Sequence, residues 1–220
     1  SSLGIIWTSC SPDFGVEGVV DRFGQIKPKL FIYSDGYYYN GKVYDSLKTA
    51  GQISNEISSI KHEIVIPFID KEYTNDRASL ETCWLDIIEN DVDLHFESLP
   101  FDHPLYILYS SGTTGSPKCI VHGAGGTLLQ HLKEHILHYD IGKDDRLFYF
   151  TTCGWMMWNW MVSGLATGST LVIYDGSPFY NDGSILWDLA ESENVTVFGV
   201  SAKYLSAQEK ASIKPRLTHD

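Results

Sequence analysis

Runs of apolar residues alternate with helix-spaced apolar positions along the first third of the chain. The runs at 3–8, 29–34 and 63–69 are rich in Leu, Ile, Val and Phe, as is typical of buried strands. Between them, apolar residues recur at helical spacing over 16–26 and over 44–60. Continuous apolar strands are typical of sheets covered on both faces. This β-α-β-α-β order therefore predicts an α/β fold with mostly parallel strands.

The alternation resumes after a polar, acidic stretch, within which one helix is predicted near 79–89. Later apolar runs predict five further strands, at 104–110, 119–122, 146–151, 170–174 and 195–200. Helical spacing predicts three further helices, at 128–136, 156–166 and 184–192. The C-terminal stretch KASIKPRLTHD ends without a closing element, so the chain is expected to be part of a longer protein.

The segment 147–174 contains no charged residue and resembles a membrane span in that respect. Ten Ser, Thr, Asn and Gly residues interrupt it, whereas a spanning helix needs ~20 predominantly apolar residues. The segment is therefore predicted to be a buried strand, a short helix and another buried strand. No membrane association is expected.

Charge and cysteine content narrow the function classes. The formal net charge of the 220 residues is −12, and no basic face of the kind that nucleic-acid binding requires is visible. The four cysteines lie far apart and form no CxxC pair. Free thiols in a reducing compartment are the simplest interpretation, which favours the cytosol.

The loop that follows the strand at 104–110 has an unusual composition. Residues 109–123 read YSSGTTGSPKCIVHG. Gly112 and Gly115 allow positive φ and the close approach of a ligand to the backbone. Hydroxyl groups and consecutive backbone N–H groups can donate to phosphate oxygens, and Lys118 adds a positive charge. The loop is therefore expected to hold a polyphosphate.

A Walker A loop is the obvious comparison, and the sequence does not fit it. Counting from Gly112, Pro117 stands where the second glycine belongs and Cys119 where Ser or Thr belongs. A strand is also predicted after the loop, whereas a Walker loop opens a helix. The loop is therefore not expected to be that of a Walker-type nucleotidase.

The segment YSSGTTGSPK resembles the signature phosphate loop of the adenylate-forming acyl-CoA synthetases, and the resemblance extends over nearly the whole chain. It implies the layered αβ N-terminal domain of those enzymes and their two-step reaction. A carboxylate attacks the α-phosphate of ATP, with Mg²⁺, and the thiol of CoA then displaces AMP from the acyl-adenylate. By resemblance, the β- and γ-phosphates are held by Ser110, Ser111, Gly112, Thr113, Thr114, Gly115 and Lys118. Lys118 is the implied catalytic charge.

Three further stretches, at 9–29, 35–42 and 154–168, are most similar to the family members that activate acetoacetate. The implied small-molecule partners are acetoacetate, ATP and CoA, in the cytosol. Two alternatives stay open: a member that activates acetate or propionate, and a nucleotide-binding module without catalysis.

The segment TTCGWMMWNW, at 151–160, resembles the family segment that lines the acyl pocket and the path of CoA. The resemblance assigns this role to Trp155, Met156 and Met157. A tryptophan wall beside methionines gives an apolar slot of adaptable shape. Trp158 and Trp160 are expected to be ordinary core residues.

The later motifs of the family are absent. No Thr-Glu and no Thr-Gly-Asp pattern occurs anywhere in the chain. Residues 1–220 are therefore expected to be part of the large N-terminal, AMP-binding domain, without the C-terminal domain and inactive alone.

Four histidines complete the candidates. His131, His135 and His138 have the spacing of metal ligands, but the pattern HLKEH does not match HExxH. A solvent-facing helix flank is predicted for them, and no metal site. His122 ends the strand after the loop, where a structural and a catalytic role are equally open.

Overall fold

A computed structural model describes residues 1–73, 81–88, 92–110 and 115–219 of the chain. These residues form an α/β structure that divides into two compact units. The first unit comprises residues 1–98 and 107–121, and the second comprises 99–106 and 122–220. Among the described residues, no helix is long and apolar enough to cross a membrane.

The first unit contains a parallel sheet in the order β2-β5-β6. Its strands are β2 (Leu30–Ser34), β5 (His62–Ile66) and β6 (Glu81–Cys83). The helices α1 (Val16–Ile26) and α2 (Leu47–Glu56) pack against each other. Along the chain α1, β2, α2 and β5 follow one another as predicted from the apolar pattern.

The core of the first unit lies between its helices and strands. Its buried apolar members come from α1 and from α2 with the turn that follows it: Val19, Phe23, Ile53, Ile57 and Ile60. Phe31 of β2 and Tyr109 pack against this cluster from the strands. The helix-spaced apolar positions are therefore the buried ones, although α2 ends before Ile57.

The helix predicted to begin at Tyr44 is wrong at its start, because residues 36–45 form an antiparallel hairpin. Its strands are β3 (Gly36–Tyr39) and β4 (Lys42–Asp45). Asn40 and Gly41 both adopt positive φ, the conformation that tight hairpin turns require. Tyr44 therefore stacks on Tyr37 across the hairpin, with ring centroids 5.0 Å apart.

A second sheet has the strand order β1-β7-β8. Strand β1 is only Trp7–Thr8, because a turn at residues 1–4 leaves the preceding apolar side chains exposed. The strand predicted over 3–8 is therefore too long. Strands β7 (Pro104–Ser110) and β8 (Lys118–Gly123) match their predictions closely. Positions 79, 80 and 89 of the helix predicted near 79–89 lie outside the described residues. Of the rest, 81–83 belong to β6, where the prediction is wrong, and Trp84–Ile88 form α3, where it is correct.

The second unit has a parallel sheet in the order β10-β9-β11. Its strands are β9 (Arg146–Tyr149), β10 (Thr170–Val172) and β11 (Val197–Gly199), each at a predicted place but shorter. Its helices are α4 (Ala124–Leu132), α5 (Met156–Ser163), α6 (Ile185–Ser192) and α7 (Ala202–Lys210). Helix α7 is not among the predicted helices; Ser201 caps it and Tyr204 packs into the core.

The prediction of a solvent-facing flank for His131 and His135 is wrong. Both rings are buried, His135 completely, because a π-helical turn (Lys133–His138) continues α4 and packs beside α5. His131 Nδ1 lies 2.8 Å from Ser163 Oγ, and His135 Nε2 donates to the Trp160 carbonyl at 2.9 Å. Burial lowers the pKa of both rings, so they are neutral packing residues at neutral pH.

Candidate functional site

The loop that is predicted to bind phosphate begins at Ser110, where β7 ends, and ends at Lys118, where β8 begins. Four of its predicted residues, Ser111 to Thr114, lie outside the described part of the chain. Gly115 has φ +122°, the positive value expected of it. The strand–loop–strand context predicted for the segment is therefore correct.

Lys118 stands exposed at the first position of β8. Its ammonium group forms no ion pair with any carboxylate among the described residues. An ammonium group that no neighbouring carboxylate neutralises is available to an anionic ligand. The described geometry is therefore compatible with the binding of a phosphate group at this end of the loop.

Helix α1 contacts Tyr109, the residue directly before the loop. The Phe23 and Tyr109 rings have centroids 6.4 Å apart, and the Arg22 guanidinium lies 6.0 Å from the Tyr109 centroid. The Tyr109 hydroxyl lies 3.1 Å from Thr8 Oγ1, and burial raises the pKa of Tyr109 to about 12. Tyr109 is therefore a neutral, packed anchor directly before Ser110.

Through Gln25, the same helix also contacts residues at the end of the loop. Gln25 Nε2 donates to the Pro117 carbonyl at 2.8 Å, and the Cys119 thiol lies 3.6 Å from Gln25 Oε1. Sequence reasoning missed Gln25, and no local signal indicates it. Ninety-two positions separate it from Pro117, so only the tertiary fold brings the two together.

His122, at the far end of β8, packs against an aromatic ring. Its ring centroid lies 4.8 Å from that of Tyr106, and burial lowers the pKa of the imidazole. These contacts support a structural role for His122, and they do not test the catalytic role that the sequence also allows.

The aromatic segment is divided between surface and core. Trp155, the N-cap residue of α5, is 62% exposed, and Met156 is 46% exposed. Met157 and Trp158 are half-buried and pack against a core cluster. Trp160 is buried, and its indole N–H donates to Glu134 Oε2 at 3.0 Å.

This division confirms the core role expected of Trp158 and Trp160. It also leaves Trp155 and Met156 facing outward at the start of α5, after the carboxyl end of β9, the central strand of its sheet. Ligands of open α/β sheets bind beyond the carboxyl ends of the strands. Trp155 and Met156 are therefore placed where an apolar substrate group can reach them.

No group of three or more His, Cys, Asp or Glu side chains that could hold a metal ion occurs in the described ranges. The four cysteines are all free thiols.

Comparison with known proteins extends over the whole chain. A family model described as "AMP-binding enzyme" matches residues 1–212. The acetoacetyl-coenzyme A synthetase of Rhizobium meliloti is 53% identical over all of this chain and 34% of its own length. A malonamoyl-CoA synthetase of Penicillium aethiopicum is 43% identical over 98% of this chain and 32% of its own length.

A solved structure gives the same result. The acetoacetyl-CoA synthetase of Streptomyces lividans is 44% identical, with a TM-score of 0.92, over 100% of this chain and 33% of that one. The chain thus spans about a third of the length of the relatives that it matches. On the family model, the identities and the fold, the chain belongs to the AMP-binding enzyme family.

Proposed function

We propose that residues 1–220 form part of the large N-terminal domain of a ligase that converts acetoacetate and CoA into acetoacetyl-CoA through an acyl-adenylate. The C-terminal domain lies outside these residues. The observation that carries the proposal is the 53% identity, over the whole chain, to a protein named acetoacetyl-coenzyme A synthetase. The four free thiols support a reducing compartment, and we infer the cytosol.

In this proposal the loop holds the β- and γ-phosphates of ATP. The holding residues are Ser110, Ser111, Gly112, Thr113, Thr114, Gly115 and Lys118. The substrate carboxylate attacks the α-phosphate, and pyrophosphate leaves with the electron pair of the broken P–O bond. Lys118 stabilises the charge that develops on the leaving group, because its ammonium is exposed and not paired with a described carboxylate.

Mg²⁺ is expected as the counter-ion of the ATP phosphates. The described residues contain no group that could hold it without the nucleotide, so no residue of this chain is assigned to it. In the second half-reaction the CoA thiolate attacks the acyl carbonyl, and AMP leaves.

Trp155, Met156 and Met157 are proposed to line the acyl slot. The exposure of Trp155 and Met156 supports this role, whereas Met157 packs against the core and would contribute mainly by holding the segment in place. The names of two relatives indicate which class of carboxylic acid is the substrate. Acetoacetate and malonamate share a carbonyl group β to the carboxylate and differ only in CH₃ against NH₂. We infer a substrate class of short β-carbonyl carboxylates.

The test is acyl-CoA formation by the full-length protein with matched acids. The kcat/KM for acetoacetate should exceed that for butyrate, which lacks the β-carbonyl oxygen, by at least about 10²-fold. In a site built to hydrogen-bond that oxygen, butyrate leaves the donor group without a partner. A preference for acetate or propionate would support the alternative short-chain synthetase. If no acid is activated, a nucleotide-binding module without catalysis would be the better account.

A further inference from the structure

The side chain of Gln25 bridges the two residues on either side of Lys118. Its Nε2 donates to the carbonyl of Pro117 at 2.8 Å, and its Oε1 lies 3.6 Å from the thiol of Cys119. The assignment of the amide atoms is consistent, because the nitrogen faces a carbonyl and the oxygen faces a donor. One side chain therefore holds both neighbours of the loop lysine.

Gln25 is itself held in place. Its Nε2 also contacts the carbonyl of Asp21, one helical turn earlier, at 2.6 Å. Helix α1 is anchored in the core by Val19 and Phe23, which are 6% and 7% exposed. The position of Gln25 is therefore set by the packed core of the first unit and not by the loop.

The contact also determines which way Lys118 faces. Successive side chains of a strand point to opposite faces, so fixing Cys119 toward α1 directs Lys118 to the other face of β8. The exposure pattern agrees, because Lys118 is exposed and Cys119 is half-buried. Gln25 thereby holds the backbone from which the lysine projects.

We propose that Gln25 is a positioning residue for Lys118 in the adenylation step, an inference that rests on the proposed function of the loop. Gln25 does not contact the phosphates in this account. It acts only by fixing the orientation of the lysine, so its contribution depends on Lys118 being present.

The experiment is a double-mutant cycle in the full-length protein, measured as acetoacetate-dependent exchange of pyrophosphate into ATP. Gln25→Met keeps the length and helix propensity of the side chain and removes both contacts. It should slow exchange about 5- to 20-fold, as expected for the loss of two modest hydrogen bonds, with the KM for ATP changed less than about threefold. In the Lys118→Ala background the same change should have less than about a twofold effect.

Gln52→Met is the matched control. Gln52 is also an exposed helical glutamine of the first unit, but it forms no hydrogen bond to the described residues of the loop. In each background it should leave exchange within about twofold of the parent protein, since isolated surface substitutions have small effects.

The outcomes separate the two proposals. If Lys118→Ala leaves exchange unchanged, the proposed role of the loop lysine is wrong, and the positioning role fails with it. Two other outcomes overturn only the positioning role, provided that Lys118→Ala slows exchange. In the first, Gln25→Met has no effect. In the second, Gln25→Met slows exchange by the same factor with and without Lys118.

Discussion

Replacing Trp155 by alanine should change which acids the enzyme prefers and leave its fold nearly intact. Trp155 is 62% exposed, so about 100 Å² of a tryptophan's ~250 Å² of surface is buried here. At ~25 cal/mol per Å², the loss amounts to at most about 2.5 kcal/mol of unfolding free energy. Buried Trp160, at 3% exposure, should cost about 3–5 kcal/mol when truncated to alanine.

Trp155→Ala should also change the selectivity between acids, an effect that a loss of stability alone would not produce. If Trp155 walls the acyl slot, acetoacetate should lose ~1–3 kcal/mol in kcat/KM, and hexanoate should lose less or gain, because the slot is enlarged. The assay is the ratio of the acetoacetate and hexanoate kcat/KM values in the full-length protein. Trp84→Ala, at a tryptophan that is 37% exposed in α3, is the control and should leave that ratio unchanged.

A constant ratio would refute the pocket role of Trp155 if the melting temperature of Trp155→Ala also falls as far as that of Trp160→Ala. Trp155 would then be a packing residue of the complete protein. The pocket assignment of Met156 would lose its main support as well.

Three further predictions follow from other parts of the chain. Burial lowers the pKa of His135 below 6.5 in the folded state, so the unfolding free energy should fall as the pH drops below about 6.5. His135→Gln cannot titrate, so the unfolding free energy of this variant, measured by urea titration, should fall less steeply over the same pH range. Gly199→Ala should lower the unfolding free energy by about 1–3 kcal/mol in the same assay, because the added Cβ would overlap the Tyr149 ring. Purified residues 1–220 should form no acetoacetyl-CoA, since the later family motifs are missing, and turnover by them would contradict the domain assignment.

The fold was largely predictable because its strands are buried runs and its first helices have one apolar face. Helix α1 and strand β5 illustrate this, since both lie within or very close to their predicted ranges. The apolar pattern does not predict the hairpin at 36–45, because Tyr44 fits the helical spacing of the following apolar positions, although Asn40-Gly41 is a recognised hairpin signal. The pattern does not predict helix α7, because its nine residues carry few apolar side chains.

The candidate site was predictable only where its chemistry is local. The loop composition and Lys118 stand together in the sequence, and the structure has the expected strand on each side. The contact of Gln25 and the burial of His135 depend on residues 92 and 25 positions away, respectively. A polar residue on a helix gives no sign of such a partner, so these features needed the tertiary structure.

Acetoacetate-dependent exchange of pyrophosphate into ATP, in the full-length protein and its Lys118→Ala variant, tests the central claim most directly. Wild type should exchange only when acetoacetate is present, and Lys118→Ala should be slower by about 2–4 kcal/mol in activation free energy, the range for losing one preorganised charge. Lys42→Ala, at an exposed lysine of β4, should exchange like wild type. Exchange that needs no acid, or a Lys118→Ala rate equal to wild type, would contradict the account.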